Sequence, residues 1–519
     1  MLRNTRGKRS WGSRPSRKGR TVTVVVAMLL LALPGPLHPQ SGYDYHQFTT
    51  ELVWRGNQAL TLCNGLWVSN RTLEQVYSLE LASLLYGHRG GERPYAPMLP
   101  DRVHIDYQQK RVAVGLGLTD SAPVMRAAYR EGLGCVVLGP EQTFEDLPAL
   151  PELRLPPFPG DAASIPWPDG DLVEEKPAPE GVDMAALRRA GDWVFQREAH
   201  GGHRGQNTVS LLVVYRGDIV YERYAPGFDL HTRTRTWSTA KSIASTVLGI
   251  AVGKGLLALD DPLPLAWPPS SWEGAPDPRR EITLRHVLNM SSGLYPVDNE
   301  WQPVRGSHLV YFGGWDASLH ARDRGLVNEP GTVFDYENFD ILLALTALKE
   351  AMGDPQAFME FPHRELFRLI GMRSTVPGVD RFGNLIMSSQ VYTNARDLAR
   401  LGLLYLNGGV WNGERIISED WIEFVRTPAP ATESTGHQYG GQWWLVPDDR
   451  TDVPKDAFSS SGSQGNYTIV VPSHDLVVVR RGLDWEDWGP GPEMNRWDIL
   501  HQVLRAFPRF ERENEGYPR

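Results

Sequence analysis

Ser238 and Lys241 stand three residues apart in Thr236-Trp237-Ser238-Thr239-Ala240-Lys241-Ser242, and the chain contains Ser-x-x-Lys once. At the start of a helix this spacing places a hydroxyl and an amine on one face. A serine hydroxyl is a weak nucleophile until a neighbouring base takes its proton. A lysine can be that base when burial or nearby positive charge lowers its pKa. The helix N-terminus adds a favourable dipole and a free backbone N–H for an oxyanion. The same residues also suit a helix-capping serine followed by a surface lysine, and the tetrapeptide alone does not choose.

A second group lies about a hundred residues on, in Pro330-Gly331-Thr332-Val333-Phe334-Asp335-Tyr336-Glu337-Asn338. Tyr336 offers a phenol to shuttle the serine proton, and beside Lys241 it would be partly ionised near neutral pH. Asn338 offers an amide to hold the lysine or a substrate carbonyl. Taken as a tripeptide, Tyr-x-Asn equally describes ordinary amphipathic core. His200-Gly201-Gly202-His203 lacks a third ligand and the glutamate of a zinc-protease helix, so no metal is assigned. No Gly-x-Ser-x-Gly elbow occurs, which argues against an α/β-hydrolase.

These residues need elements to position them. Ser238–Val252 reads as a helix stopped by Gly253 and Gly255, with further helices at Met184–Glu198, Leu284–Met290, Asp340–Met352, Ala395–Leu406 and Glu419–Phe424. Val209–Tyr215 and Ile219–Tyr224 read as a hairpin turned at Gly217, and strands return at Gly441–Val446, Tyr467–Val471 and Leu476–Arg480. Strands at both ends with helices between imply one antiparallel sheet joined from the two ends of this region, plus a helical subdomain. Before it, residues 41–150 read as a small α/β unit, with a helix at Leu73–Leu85 and strands at Arg102–Tyr107, Arg111–Leu116 and Cys135–Leu138. Residues 151–183 are crowded with proline and acids and read as a linker or surface-hugging connection.

The spaced motifs resemble the serine β-lactamase-related hydrolases, a family that includes penicillin-binding proteins, class C β-lactamase-like esterases and 6-aminohexanoate-dimer hydrolase. Trp237-Ser238-Thr239-Ala240-Lys241-Ser242 is similar to the family's first motif and Tyr336-x-Asn338 to its second. Ile282–Leu294, Ala395–Tyr405 and Gly409–Gly413 match between and beyond them. The resemblance implies the β-lactamase/transpeptidase-like α/β (α+β) fold, an antiparallel sheet flanked by helices with an all-α subdomain as the other cleft wall, over a catalytic domain at 184–519. It implies an acyl-enzyme on Ser238, with Lys241 and Tyr336 handling protons. The third motif departs from the pattern. Relatives carry Lys-Thr-Gly or His-x-Gly where this chain has Ser460-Ser461-Gly462-Ser463. The backbone N–H of Ser463 can still complete an oxyanion hole with that of Ser238, so Ser461, Gly462, Ser463 and Asn338 are the expected substrate and oxyanion contacts. A cation for a substrate carboxylate is missing from that strand, which favours neutral esters and amides over β-lactams. Trp443 and Trp444 read as core or as cleft wall.

The bulk properties agree with an enzyme of this kind. A chain of 519 residues, 41% hydrophobic, with a net charge of −9, builds a large core and does not suit nucleic acid as a partner. No cofactor is implied, the partner expected is a small ester or amide, and the oligomeric state is left open. D-amino peptides or β-lactams, or a non-catalytic binding role on the same fold, are the other readings. Basic residues from Arg3 to Arg20 precede the apolar run Val22–Leu33, as in a signal peptide or a membrane anchor over residues 21–37 within a leader of about forty residues. The expected location is periplasmic or extracellular. In that oxidising setting Cys63 and Cys135, the only cysteines, are expected to bond; two buried free thiols are the alternative.

Overall fold

The computed structural model describes residues 44–508 except 46, 83–96, 119, 197–206, 270–275, 299–305, 434 and 485–493. The basic leader and the His200/His203 pair lie outside the described residues. Among those described, no helix is long and apolar enough to cross a membrane.

The central layer is a six-stranded antiparallel sheet. Its strands are β5 (Thr208–Tyr215), β6 (Asp218–Tyr224), β7 (Trp444–Leu445), β8 (Phe458–Gly462), β9 (Asn466–Val471) and β10 (Leu476–Gly482), in the order β7-β8-β9-β10-β5-β6. The hairpin β5–β6 turns through Arg216 and Gly217, both at positive φ, the geometry that matches a two-residue turn to the twist of its strands. Strand β10 closes on β5 with Val478 opposite Val213. The two ends of this region therefore do meet in one sheet, because β5, β9 and β10 are apolar enough to be buried on both faces.

Helices cover both faces. On one side α2 (Met184–Phe195) and α6 (Arg496–Leu504) pack Leu187, Val194, Trp497, Leu500 and Val503 against Leu211, Val213, Ile469 and Val478. On the other lie α3 (Thr239–Gly253) and α5 (Ala395–Leu406). Every residue of α3 from Thr239 to Ala251 is buried, and its polar side chains, Thr239, Lys241, Ser242, Ser245 and Thr246, each find a hydrogen-bond partner there. Helix α4 (Asn338–Met352), capped by Glu337 and ended by Gly353 at φ 65°, packs against α3.

Residues before 150 form a four-stranded meander, β1 (Val103–Asp106), β2 (Arg111–Val114), β3 (Met125–Arg130) and β4 (Gly134–Val137), against α1 (Thr49–Trp67). Cys63 on α1 is bonded to Cys135 on β4. Helix α1 and strand β3 are not among the elements read from the sequence. The buried face of α1 carries Arg55, Gln58 and Asn64, which interrupt an apolar stripe. Each serves a neighbouring segment: Arg55 donates to the carbonyls of Ala122 and Pro123, Gln58 exchanges hydrogen bonds with Met98, and Asn64 accepts from the Cys135 N–H. Of the helix expected over Leu73–Leu85, Leu73–Gln75 is one α-helical turn passing into a π-helical turn, Val76–Glu80, and residues 83–85 lie outside the described residues. The Pro-rich stretch hugs the surface beside α5: Arg400 donates to the carbonyls of Pro168 and Gly170, and Trp411 to Asp169.

Candidate active site

Ser238 occupies the N-cap position of α3, yet its hydroxyl caps nothing. The N–H groups a cap would satisfy turn back instead on the backbone of Thr236, Trp237 and Ser238. That leaves the hydroxyl for other partners and disposes of the capping alternative. Trp237 just before it is held at φ 50°, an uncommon conformation for a large residue. Its indole is pinned from two sides, by Arg235 stacked 3.6 Å above the ring and by a 2.8 Å bond from Nε1 to Gln464 Oε1.

Lys241 is no surface lysine; it is 1% exposed. Its Nζ lies 3.1 Å from Ser238 Oγ, 2.6 Å from Asn338 Oδ1 and 3.0 Å from the Ser388 carbonyl. Burial holds its pKa down to about 7, against the opposing pull of Asp298 and Glu337. The amide and carbonyl oxygens can only accept. In the neutral amine they therefore take the two N–H groups and leave the lone pair for the third direction, toward Ser238.

Tyr336 reaches the site from the approach to α4. Its hydroxyl is close enough to Ser238 to be influenced by it, and its ring centroid lies 5.1 Å from Lys241 Nζ. Burial pushes its hydroxyl up to about 12, opposed by Ser238 and by Arg496. The expectation of a partly ionised tyrosine is corrected accordingly. Near neutral pH the phenol keeps its proton, because desolvation outweighs the nearby positive charge.

The third motif is β8 and the turn after it. Gly462 is where strand and helix touch: a Cβ there would stand 2.1 Å from the Thr236 carbonyl and 3.2 Å from the Ser238 nitrogen. Ser460 is fully buried, its hydroxyl 3.3 Å from Thr239 Oγ1 and accepting from the Thr468 N–H. Ser461 is partly exposed, and Ser463 is exposed. Asn466 donates to the Ser463 carbonyl at 2.7 Å, fixing the turn. Among the described residues the backbone N–H groups of Ser238 and Ser463 donate to no protein acceptor.

Three participants lie outside the motifs and a fourth fills the middle of the second. Ser388 gives Lys241 a carbonyl, and Asp298 takes the Asn338 amide at 2.5 Å. Glu337, between Tyr336 and Asn338, is buried with its carboxyl pushed up by burial and by Asp298. Arg496 on α6 brings a guanidinium 3.4 Å from Ser461 Oγ and 5.2 Å from the Trp444 ring. The expectation that this edge of the cleft lacks a cation is thus corrected, for the cation arrives on a helix rather than on the strand. Among the described residues it pairs with no carboxylate, and its Nε is buried without an acceptor. No local pattern marks any of these four. Trp443 and Trp444 divide as alternating strand residues do. Trp443 is buried against Tyr405 and Phe458, while Trp444 stands 5.5 Å from Tyr336 as part of the wall.

Comparison with known proteins bears on the family and the fold. The chain is 25% identical over 326 residues to 6-aminohexanoate-dimer hydrolase of Paenarthrobacter ureafaciens, covering 58% of this chain and 78% of that protein. An uncharacterized protein of Alkalihalophilus pseudofirmus is 24% identical over 304 residues, covering 52% and 82%. The crystal structure of a family VIII carboxylesterase shares the fold, with a TM-score of 0.51 and 17% identity over 64% of this chain and 99% of that one. The family model described as Beta-lactamase matches residues 194–480, more than half of the sequence, from before β5 into β10. The chain belongs to the Beta-lactamase family.

Proposed function

We propose that the protein is a serine hydrolase that cleaves ester or amide bonds of small substrates through an acyl-enzyme on Ser238. The observation that carries this is the Lys241 amine, buried, near the midpoint of its titration at neutral pH, and left by its two fixed acceptors with a lone pair facing Ser238. In the first step Ser238 Oγ bonds to the substrate carbonyl carbon and its proton passes to Lys241. The carbonyl oxygen takes up negative charge against the N–H groups of Ser238 and Ser463. Tyr336, protonated and within reach of Ser238, hands a proton to the leaving alcohol or amine as the scissile bond breaks. Lys241 restores that proton to Tyr336. Water then attacks the ester, giving one proton to the same pair, which returns it to Ser238 Oγ as the acyl bond breaks and the acid leaves. The hydrolytic names of the relatives support the reading. So does the leader, from which we also propose export, to the periplasm or the cell exterior.

A fluorophosphonate probe followed by peptide mass spectrometry tests the nucleophile. Adduct on Ser238 is the expected result; adduct on another serine, or none, sinks the assignment and revives a non-catalytic binding role. Arg496 favours a second reading of the substrate. A guanidinium beside Ser461 and Trp444 that pairs with no carboxylate among the described residues suits a substrate carboxylate, as a cell-wall-like D-amino peptide or a β-lactam would present.

A further inference from the structure

We infer that Asp298 is the positioning residue of the proton-handling group, holding the Asn338 amide so that Oδ1 and not Nδ2 faces Lys241. The inference rests on the reading of Ser238 as nucleophile and Lys241 as its base.

An asparagine amide has two nearly isosteric ends, and only its neighbours decide which way it points. Asn338 Nδ2 donates to Asp298 Oδ2 at 2.5 Å and lies 3.4 Å from Ser307 Oγ, while Oδ1 accepts from Lys241 at 2.6 Å. A carboxylate has no hydrogen to give an amide oxygen, and an ammonium has no lone pair for an amide N–H. With Asp298 on one side and Lys241 on the other, a flipped amide would lose both bonds and set donor against donor. The carboxylate is itself fixed, its Oδ1 accepting from the Ser307 N–H at 2.9 Å, while its own N–H donates to Glu337 at 3.3 Å. Ser307 is fully buried, so the anchor is part of the core rather than of a loose loop.

Orientation matters because the neutral amine has two N–H groups to place. If Asn338 turned its NH₂ toward Lys241, the lone pair would be drawn to that donor and away from Ser238. Asp298 therefore acts on the base twice, by aiming its acceptor and by placing a negative charge one residue removed. Of the charges acting on Lys241 it is the largest that favours the ammonium. Among the described residues the other titratable and charged groups around Lys241 are Glu337 and Tyr336 from the approach to α4, and Tyr311, which hydrogen-bonds Ser388 Oγ. Beyond them stand Arg235 behind Tyr311, and Asp335 and Arg324 beside Glu337. None of these touches the Asn338 amide.

The test compares Asp298→Asn with Asp298→Glu in the full-length protein on a neutral nitrophenyl ester, with the Lys241 titration followed by NMR of its 13C-labelled ε-carbon. Asp298→Asn should lower kcat about 10–100-fold, as misplaced catalytic groups do, with KM within about twofold. Loss of an anion disfavours the ammonium, so both the acid limb of kcat and the Lys241 titration should move to lower pH. Asp298→Glu keeps the charge and should leave the limb in place while restoring part of kcat. A fall in kcat with limb and titration unmoved would mark a merely structural role and overturn the inference, as would wild-type kinetics in Asp298→Asn. Failure of the hydrolase reading shows separately, as a wild-type Ser238 that no fluorophosphonate labels.

Discussion

Lys241 and Tyr336 are buried in the same pocket and driven in opposite directions, the amine down to about 7 and the phenol up to about 12. One is then ready to accept a proton and the other still holds its own at neutral pH. A rate that needs the free amine should rise as pH passes through 7 and stay high until the phenol ionises; a kcat profile on a neutral ester checks this, and a rate independent of pH between 5 and 9 would refute it. Ser238→Ala should abolish turnover without loss of fold, and Lys241→Ala and Tyr336→Phe should each cost about 10²–10⁴ in kcat. The same burial has a thermodynamic signature. Between about 7, where the folded amine loses its proton, and its ordinary 10.5, the unfolded chain binds more protons at this group than the folded chain does. Its contribution to stability therefore rises with pH across that window. Thermal melts of Lys241→Met should show a flatter rise than wild type between pH 7 and 10. The three motif residues were legible because their types and spacing stand out in the chain. Asp298, Ser388 and Arg496 were not, since a lone acid, a main-chain carbonyl and a helical arginine look like any others until something folds against them.

At the scale of elements, the site exists because α3 is clamped between the sheet and α4. On the sheet side Gly402 of α5 lies so close to β10 that a Cβ would meet Val477 Cγ1 at 2.5 Å. Gly402→Ala should cost about 1–3 kcal/mol through overpacking, seen as a lowered denaturation midpoint; an unchanged midpoint would show that the sheet yields freely. Gly462→Ala strikes the other contact, where β8 meets the start of α3. It should depress kcat far more than it lowers stability, since the strand has to move away from the Ser238 N–H. Strands β5, β9 and β10 and helices α3 and α5 were readable from apolar runs and periodicity. Helix α1 was not, because its inner face uses Arg55, Gln58 and Asn64 for hydrogen bonds that only the folded neighbours reveal. The small helices around the cleft, Gly306–Phe312 and Ala317–Arg322, are too short for a period to register.

For the molecule as a whole, the properties to measure are substrate choice and the contribution of covalent bracing. Lysine at Ser460 would be a poor way to add a cation, because that side chain lies buried beneath α3; Arg496 already stands at the cleft edge beside Ser461. Removing it by Arg496→Ala should lower kcat/KM on carboxylate-bearing esters about 10–100-fold relative to their neutral counterparts, the cost of a charge-assisted hydrogen bond. The ratio is the measure, since Arg496 also acts on Tyr336 and both substrates share that loss. An unchanged ratio would leave neutral esters and amides as the substrate class and assign Arg496 to packing against Trp444 and Trp497. The Cys63–Cys135 bond spans 72 residues. In the chain-entropy view it contributes about 4 kcal/mol, so the unreduced, denatured protein should show no free thiol and Cys135→Ser should melt earlier.

The sequence by itself determined the layered α/β fold, and it pointed to Ser238, Lys241 and Tyr336 through spaced motifs that resemble a family. Each of these rests on local information: residue types at fixed spacing in order along the chain, helical periodicity, strands too hydrophobic to face water. Only the tertiary structure decided what those residues are like chemically. A lysine's pKa depends on how much water surrounds it, and an asparagine's orientation on what lies beyond it. The charge at the edge of the cleft comes from a helix 35 residues past Ser461. Proximity made by folding brings such groups together without leaving a pattern in the chain, because any residue of the right charge at the right place in space would serve.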